Sequence, residues 1–446
     1  MKSFKQYDFT QKLGNRELSS FLFPFFLSAG FQCIYTIVNT AVVSRYLSQE
    51  AVAVIGACSG CVSIINSMLP ALISGFGIYL SRCIGSNDSS ETRQGFWGAV
   101  YISLTLGIIC LLLLPFSKNL LRFSNISQQL LPDAAIYFNL ILLGAILLYL
   151  KLILISTIQA MGNSTIPSLT TMVGVVTQTL LVVFLIAIMH MRIAAPALAL
   201  LLNNLWQVFA LSLFLRSFSK GRLDFTSPFH INRACYRMIL INGASKGLLF
   251  VFLSLGTFIM QQMENCLATD ILAGDAYCDQ FTILFTELLC AYGTASVVVV
   301  GQNASRGNYR LIRDYISRFN RHSLVWCILI GIISLVFAPL LIGSLAGSGA
   351  SPKAIEAGIF EMRIIVISYP FLTALVTLRY ALQTMGDYLA MPIFGFVEMS
   401  INIAMAMLIP KVGYIAVCLG LSLSRIGAGL AAILRYRGFM KRNIND

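Results

Sequence analysis

Charge is what this chain has least of. Only 11% of its 446 residues are Asp, Glu, Lys or Arg, while 57% are hydrophobic. A soluble domain carries about 25% charged residues, so a water-soluble globule is excluded. Histidine is scarcer still. The three present, His190, His230 and His322, sit in separate segments and offer no cluster from which a membrane-embedded enzyme could be built. No Gly-Lys-Ser/Thr phosphate loop exists, so ATP-driven transport would need another subunit. Eleven cysteines lie mostly inside apolar runs, where a thiol behaves as a small hydrophobe. Cys58-Ser-Gly-Cys61 has metal or redox spacing but falls within an apolar helix, and Cys266 and Cys278 merely flank a short loop. Neither a metal nor a cofactor is expected.

What is present is a series of apolar runs of roughly 20 residues, each enough to cross about 30 Å of hydrocarbon as helix. The first, at 18–43, is too long for a signal-peptide core. Others follow at about 51–80, 95–116, 133–160, 167–189 and 194–217. A second set lies at about 239–263, 273–301, 318–345, 357–384, 391–410 and 413–435. The expected fold is therefore an all-α polytopic membrane protein with twelve transmembrane helices. The net charge of +13 belongs to the membrane rather than to nucleic acid. Arg and Lys gather in alternate loops (Arg82 and Arg93; Arg216 to Arg237; Arg306 to Arg321; Arg435 to Arg442). The stretch 264–279, read as an outer loop, holds Glu264, Asp270, Asp275 and Asp279 without a base. Both termini are then expected on the cytoplasmic side of a plasma membrane.

The chain also repeats itself. Gln159-Ala-Met-Gly162, with Pro167 behind it, recurs as Gln383-Thr-Met-Gly386 with Pro392, a shift of about 224 residues. GIYLSRCIGSNDSSETRQ (77–94) answers to SVVVVGQNASRGNYRLIR (296–313) at nearly the same offset. Two homologous six-helix lobes follow, 1–217 and 239–446, joined by a cytoplasmic linker at 218–238. An even helix count gives both lobes one orientation, so a pseudo-two-fold along the membrane normal relates them. Transporters of that kind bind substrate near the midplane between the repeats.

FPFFLSAGFQCIYTIVNTAVVSRYL (23–47), FLSLGTFIMQQMENCLATDILAGDAYCDQF (252–281), GQNASRGNY (301–309) and the repeated Met-Gly…Pro turns resemble the multidrug and toxic compound extrusion (MATE) transporters over nearly the whole chain. The resemblance implies an antiporter of two six-helix bundles that exports organic, often cationic or amphipathic compounds by alternating access. Its energy would be an inward proton or sodium gradient, and a monomer is expected. Two departures accompany it. The family's first-helix Asp is Asn39 here, and a fifth-helix Asn-Ile-x-Leu-Asp pattern reads Gln178-Thr-Leu-Leu-Val182. Carboxylates bind protons and hard cations, so coupling is expected either to have moved to the C-terminal half or to differ in mode. A flippase for a lipid-linked or anionic amphipathic metabolite, or a non-transporting sensor of the same fold, are the alternatives.

A charge at mid-bilayer costs at least about 2.5–3.5 kcal/mol, so each one needs a partner, a cavity or a function. Glu287, near the centre of the eighth helix, and Glu398 in the eleventh are the candidate coupling residues. Arg425 in the twelfth is the expected ion-pair partner of Glu398. Lys151 in the fourth either neutralises Glu287 or selects an anionic cargo, and Lys246 and Arg379 are expected to snorkel. Gln32, Asn39, Lys151 and Glu287 make up the expected substrate cavity.

Overall fold

The computed structural model describes residues 7–46, 49–86, 88–123, 128–218, 232–346 and 350–445. The side chains of 34, 36–53, 56, 59, 68, 123, 218 and 445 fall outside that description. All regular structure among the described residues is helical, as hydrocarbon requires of a chain that must satisfy its own backbone. Eleven described stretches are long and apolar enough to cross a membrane. With α1 (Asn15–Tyr46), a helix of 32 residues, the number reaches the twelve expected.

The chain divides into two compact units, Met1–Gly247 and Leu248–Asp446. Of the expected linker, 219–231 lie outside the described residues, and Arg233 already opens a helix that continues to Glu264.

The first unit holds α1, α2 (Gln49–Ser63), α3 (Leu69–Ser86), α4 (Ser89–Leu112), α5 (Ser117–Phe123), α6 (Leu131–Ala160), α7 (Thr165–Ala187), α8 (Ala194–Phe218) and the start of α9 (Arg233–Glu264). Its centre is α6, which packs against α2, α3, α4, α5 and α8. Tyr149, fully buried on α6, shows how closely sequence and packing are tied. Between α2 and α3 the chain makes one π-helical turn, Ile64–Met68, closed by the Leu69 N–H bonding back to the Ile64 carbonyl. The next residue, Pro70, has no N–H to offer, and so cannot serve the Ile65 carbonyl. The Tyr149 hydroxyl donates to that oxygen instead, at 3.1 Å. Cys110 Sγ on α4 lies 3.6 Å from the same hydroxyl.

Where α3 meets α9, backbones touch. A Cβ on Gly75 would overlap the Gly243 nitrogen, and one on Gly243 would overlap the Leu72 carbonyl oxygen. Small residues permit this kind of approach between membrane helices. Gly243→Ala is therefore expected to lower stability by about 1–3 kcal/mol, the usual cost of overpacking. Gly343→Ala, where nothing lies within 4 Å, should not. Thermal unfolding of the two variants in one detergent makes the comparison, and an unshifted midpoint for Gly243→Ala would contradict the close crossing.

The second unit holds the remainder of α9 with α10 (Thr269–Ala304), α11 (Tyr309–Val336), α12 (Ala338–Ala346), α13 (Pro352–Ile365), α14 (Tyr369–Met385), α15 (Ala390–Val412) and α16 (Tyr414–Asn445). Here α10 is central, packed on α11, α13 and α14, while α16 packs on α14 and α15. The expected outer loop 264–279 shrinks to a few residues because α10 begins at Thr269. Asp275 and Asp279 are thus helical, not loop, residues.

The repeated turn is the same structure twice. Gly162 and Gly386 both have positive φ, 84° and 108°, and their N–H groups bond the Gln159 and Gln383 carbonyls at 2.8 and 3.0 Å. The following N–H groups, of Asn163 and Asp387, reach back to Ile158 and Leu382 at 3.2 and 2.9 Å. This is the left-handed Schellman ending that glycine allows. The surroundings differ. Against Gly162 sits Tyr7, whose N–H bonds the Gly162 carbonyl at 3.1 Å and whose ring stacks with Phe9 and Phe21. Beside Gly386, Asp387 takes both guanidinium bonds of Arg435, at 2.6 and 2.8 Å.

Candidate functional site

Polar side chains inside a membrane helix fall on one face when they recur every third or fourth residue. In the first unit α7 and α8 show this spacing: Gly174 and Gln178 on one, Asn203 and Gln207 on the other. Asn203 Nδ2 donates to Gln178 Oε1 at 2.8 Å, and Trp206 Nε1 donates to Asn203 Oδ1 at 2.9 Å. Gln178 also bonds the Tyr35 hydroxyl of α1. Gly174 is small because the Gln207 amide occupies the place of its Cβ. The next residue along α8, Asn204, faces α6, where Lys151 Nζ donates to its Oδ1 at 2.6 Å. Asn203, Asn204, Gln178 and Gln207 are all buried. Between Asp133 in the first turn of α6 and the end of α8 the sequence has no carboxylate. The Lys151 ammonium is thus held by a neutral amide, beside a separate network of buried amides on α7 and α8.

The second unit is the opposite. Asp275, Asp279, Thr282 and Thr286 follow one another at helical spacing along α10, a polar stripe in an otherwise apolar helix. At one end Asp275 has Glu361 of α13 as an electrostatic neighbour. The Tyr414 hydroxyl of α16 donates to Glu361 Oε2 at 2.8 Å. Further along, Arg425 of α16 donates to Thr286 Oγ1 at 3.0 Å, with Asp279 among its charged neighbours. Glu398 of α15 lies 3.5 Å from Arg379 Nη1 of α14, both side chains 11% exposed. A continuous acid–base seam crosses this unit.

The expected site residues are thus distributed unevenly. Lys151 and Glu398 are in polar clusters. Glu287 is on α10 beside Thr286 and is exposed, as is Asp279 of the stripe. Gln32 is exposed on α1, and the Asn39 side chain lies outside the described residues. The ion pair expected between Glu398 and Arg425 has a different base. Arg379 approaches Glu398 from α14 while Thr286 holds Arg425, which remains an electrostatic neighbour of Glu398. Arg379 accordingly does not snorkel. The proximity of Glu361 and Asp275 escaped the sequence reading because 264–279 passed for loop. Its signal was there in the spacing of Asp275, Asp279, Thr282 and Thr286.

Twelve apolar helices in two units, with buried charge organised into polar clusters, define a polytopic membrane transporter. A family model places it further: MatE matches residues 24–185 and again 247–408, so the chain belongs to the MatE family of efflux transporters. That double match repeats the offset of the duplicated turns. A curated relative, "Probable multidrug resistance protein YpnP" of Bacillus subtilis (strain 168), is 24% identical over 446 residues, 97% of each chain. Among solved structures, a multidrug resistance MATE family transporter of the MOP superfamily in an outward-facing conformation superposes with a TM-score of 0.92 at 17% identity, covering 100% of both chains. A MOP superfamily transporter from Pyrococcus furiosus, described as having a binding pocket of reversed polarity that suggests a different function, gives 0.90 at 16% identity over 98% of this chain and 99% of that one.

Proposed function

We propose that this transporter is a proton-coupled antiporter with its coupling carboxylates in the C-terminal unit and an anionic or zwitterionic amphipathic cargo received in the N-terminal unit. The observation that carries the cargo half is the Lys151–Asn204 bond at 2.6 Å, with no carboxylate bonded to the ammonium among the described residues. A cationic compound would be repelled there; an acidic group would gain a charge-assisted bond worth about 1.5–3 kcal/mol. The coupling half is supported by the acid–base seam. Asp275 and Glu361 bring two carboxyl groups near each other beside the Tyr414 hydroxyl, with Glu398 and Arg379 further along the seam; neighbouring carboxyls of this kind are suited to exchanging a proton. Alternating access would expose each unit's cluster to the two sides in turn.

The test is transport by purified protein in liposomes, with fluorescent organic anions and cations of similar size. An imposed inward proton gradient is expected to drive the anion, and a sodium gradient to do nothing. Lys151→Met should slow anion export about ten- to a hundredfold, following from the bond lost, and leave cations unaffected. Transport of cations alone by the wild type would sink the cargo assignment and favour the family's commoner substrates. Sodium-driven movement would sink the proton.

A further inference from the structure

The second unit carries a feature that the transport reading does not use. Two adjoining clefts, of about 520 and 480 Å³, open where α11, α14 and α16 meet. Their mouth is basic: Arg313 and Arg321 from α11, Arg437 and Lys441 from α16. Among the described residues, no carboxylate lines either cleft. Asp314, next to Arg313, is bonded to Arg318 at 2.8 Å, and Asp387 is bonded to Arg435.

Below the bases the walls turn apolar. Leu324 of α11 and Ala374 and Leu378 of α14 line the larger cleft, and Leu324 is 46% exposed. The face of α11 that bears Arg313, Ser317 and Arg321 continues through Leu324, Ile328 and Ile332, all three exposed. From Arg313 to Leu324 is about 16 Å of helix, so the cleft runs from a basic rim into the apolar span. At the rim, the Tyr436 hydroxyl and Asn320 Oδ1 are buried without a hydrogen-bond partner; both residues line the larger cleft.

We infer that this crevice is a binding site for one anionic phospholipid, whose phosphate and headgroup sit among Arg313, Arg321, Arg437 and Lys441 and whose acyl chain lies along Leu324, Ala374 and the exposed stripe of α11. Basic pockets between helices at the cytoplasmic face are suited to anionic headgroups. The excess of Arg and Lys at this end of the chain marks the same side as cytoplasmic. A free phosphate would use only the rim. The apolar wall below it is what commits the site to a lipid. The inference does not depend on the identity of the exported compound or on antiport.

Lipid binding to the full-length protein in detergent, followed by native mass spectrometry, tests this. Dioleoylphosphatidylglycerol is compared with dioleoylphosphatidylcholine, which has the same chains and no net charge. The wild type is expected to hold the anionic lipid at least tenfold more tightly. The quadruple variant Arg313→Gln, Arg321→Gln, Arg437→Gln, Lys441→Gln should lose that preference, and Ala374→Trp should weaken both lipids by obstructing the chain. An unchanged preference in the quadruple variant would overturn the site. So would displacement of the lipid by inorganic phosphate at concentrations that match its own binding, since a headgroup site alone would then suffice. Should either variant fold poorly, a photoactivatable phosphatidylglycerol used on the wild type decides. Labelling within 309–324 and 433–444 supports the crevice, and labelling confined to other helices refutes it.

Discussion

Glu398→Gln is expected to abolish proton-driven export and, separately, to weaken the C-terminal unit by about 3–5 kcal/mol, the cost of leaving a buried charge without its partner. The two effects have different origins and can be separated. Glu398 faces Arg379 at 3.5 Å, with Arg425 nearby, so neutralising the carboxylate strands positive charge where water is scarce. Removing Arg379 as well should restore most of the lost stability, because a neutral polar pair replaces a broken ionic one. It should not restore transport if Glu398 is a proton carrier. Thermal unfolding in detergent and proton-driven flux in liposomes, measured on both single variants and the double, supply the comparison. A double variant that recovers stability and transport together would assign Glu398 a purely structural role. Glu361→Gln provides a second reading of the seam. It keeps a hydrogen bond to Tyr414 but cannot ionise.

The second large effect is expected at a glycine. Gly162→Ala should cost about 2–5 kcal/mol and Gly386→Ala only about 1–2, although the two glycines occupy equivalent turns. Both substitutions place a side chain at positive φ, a cost of roughly 1–2 kcal/mol. Only at Gly162 would the new methyl also overlap the Tyr7 carbonyl oxygen, whereas at Gly386 the nearest atom is the Tyr388 hydroxyl at 3.9 Å. Overpacking adds about 1–3 kcal/mol. Unfolding midpoints of the two variants, together with Tyr7→Ala in the Gly162→Ala background, test the assignment. Equal losses at the two glycines would mean that the Tyr7 segment does not hold the turn.

Much of the fold was legible because apolar length and repetition are both one-dimensional. The twelve runs, the duplication and the paired turns need no knowledge of which way a helix faces. The clusters do need it. Lys151 stood out by depth alone, but its partner Asn204 is 53 residues away, and adjacent asparagines at 203 and 204 point to different neighbours. Depth also singled out Glu287, which is at mid-helix next to Thr286, but depth does not say which face of α10 carries Asp275, Asp279, Thr282 and Thr286. The base for Glu398 was misassigned for a related reason. Arg379 and Arg425 come from two helices that both pack near α15, and sequence spacing does not rank them. The boundary of α10 was a further difficulty: the acids of 264–279 read as an outer loop that overlaps the start of the 273–301 run, whereas α10 begins at Thr269.

The bond from Tyr149 to the Ile65 carbonyl has an evolutionary consequence. The hydroxyl substitutes for an amide hydrogen that Pro70 cannot supply, so neither residue is explained without the other. A descendant that regained an amide at position 70 would have no further use for the phenol, and phenylalanine at 149 would become neutral. One that lost the phenol first would leave a bare carbonyl in hydrocarbon. Across an alignment of relatives, positions 70 and 149 are therefore expected to change together and in that order, with proline at 70 seldom found opposite a residue that cannot donate.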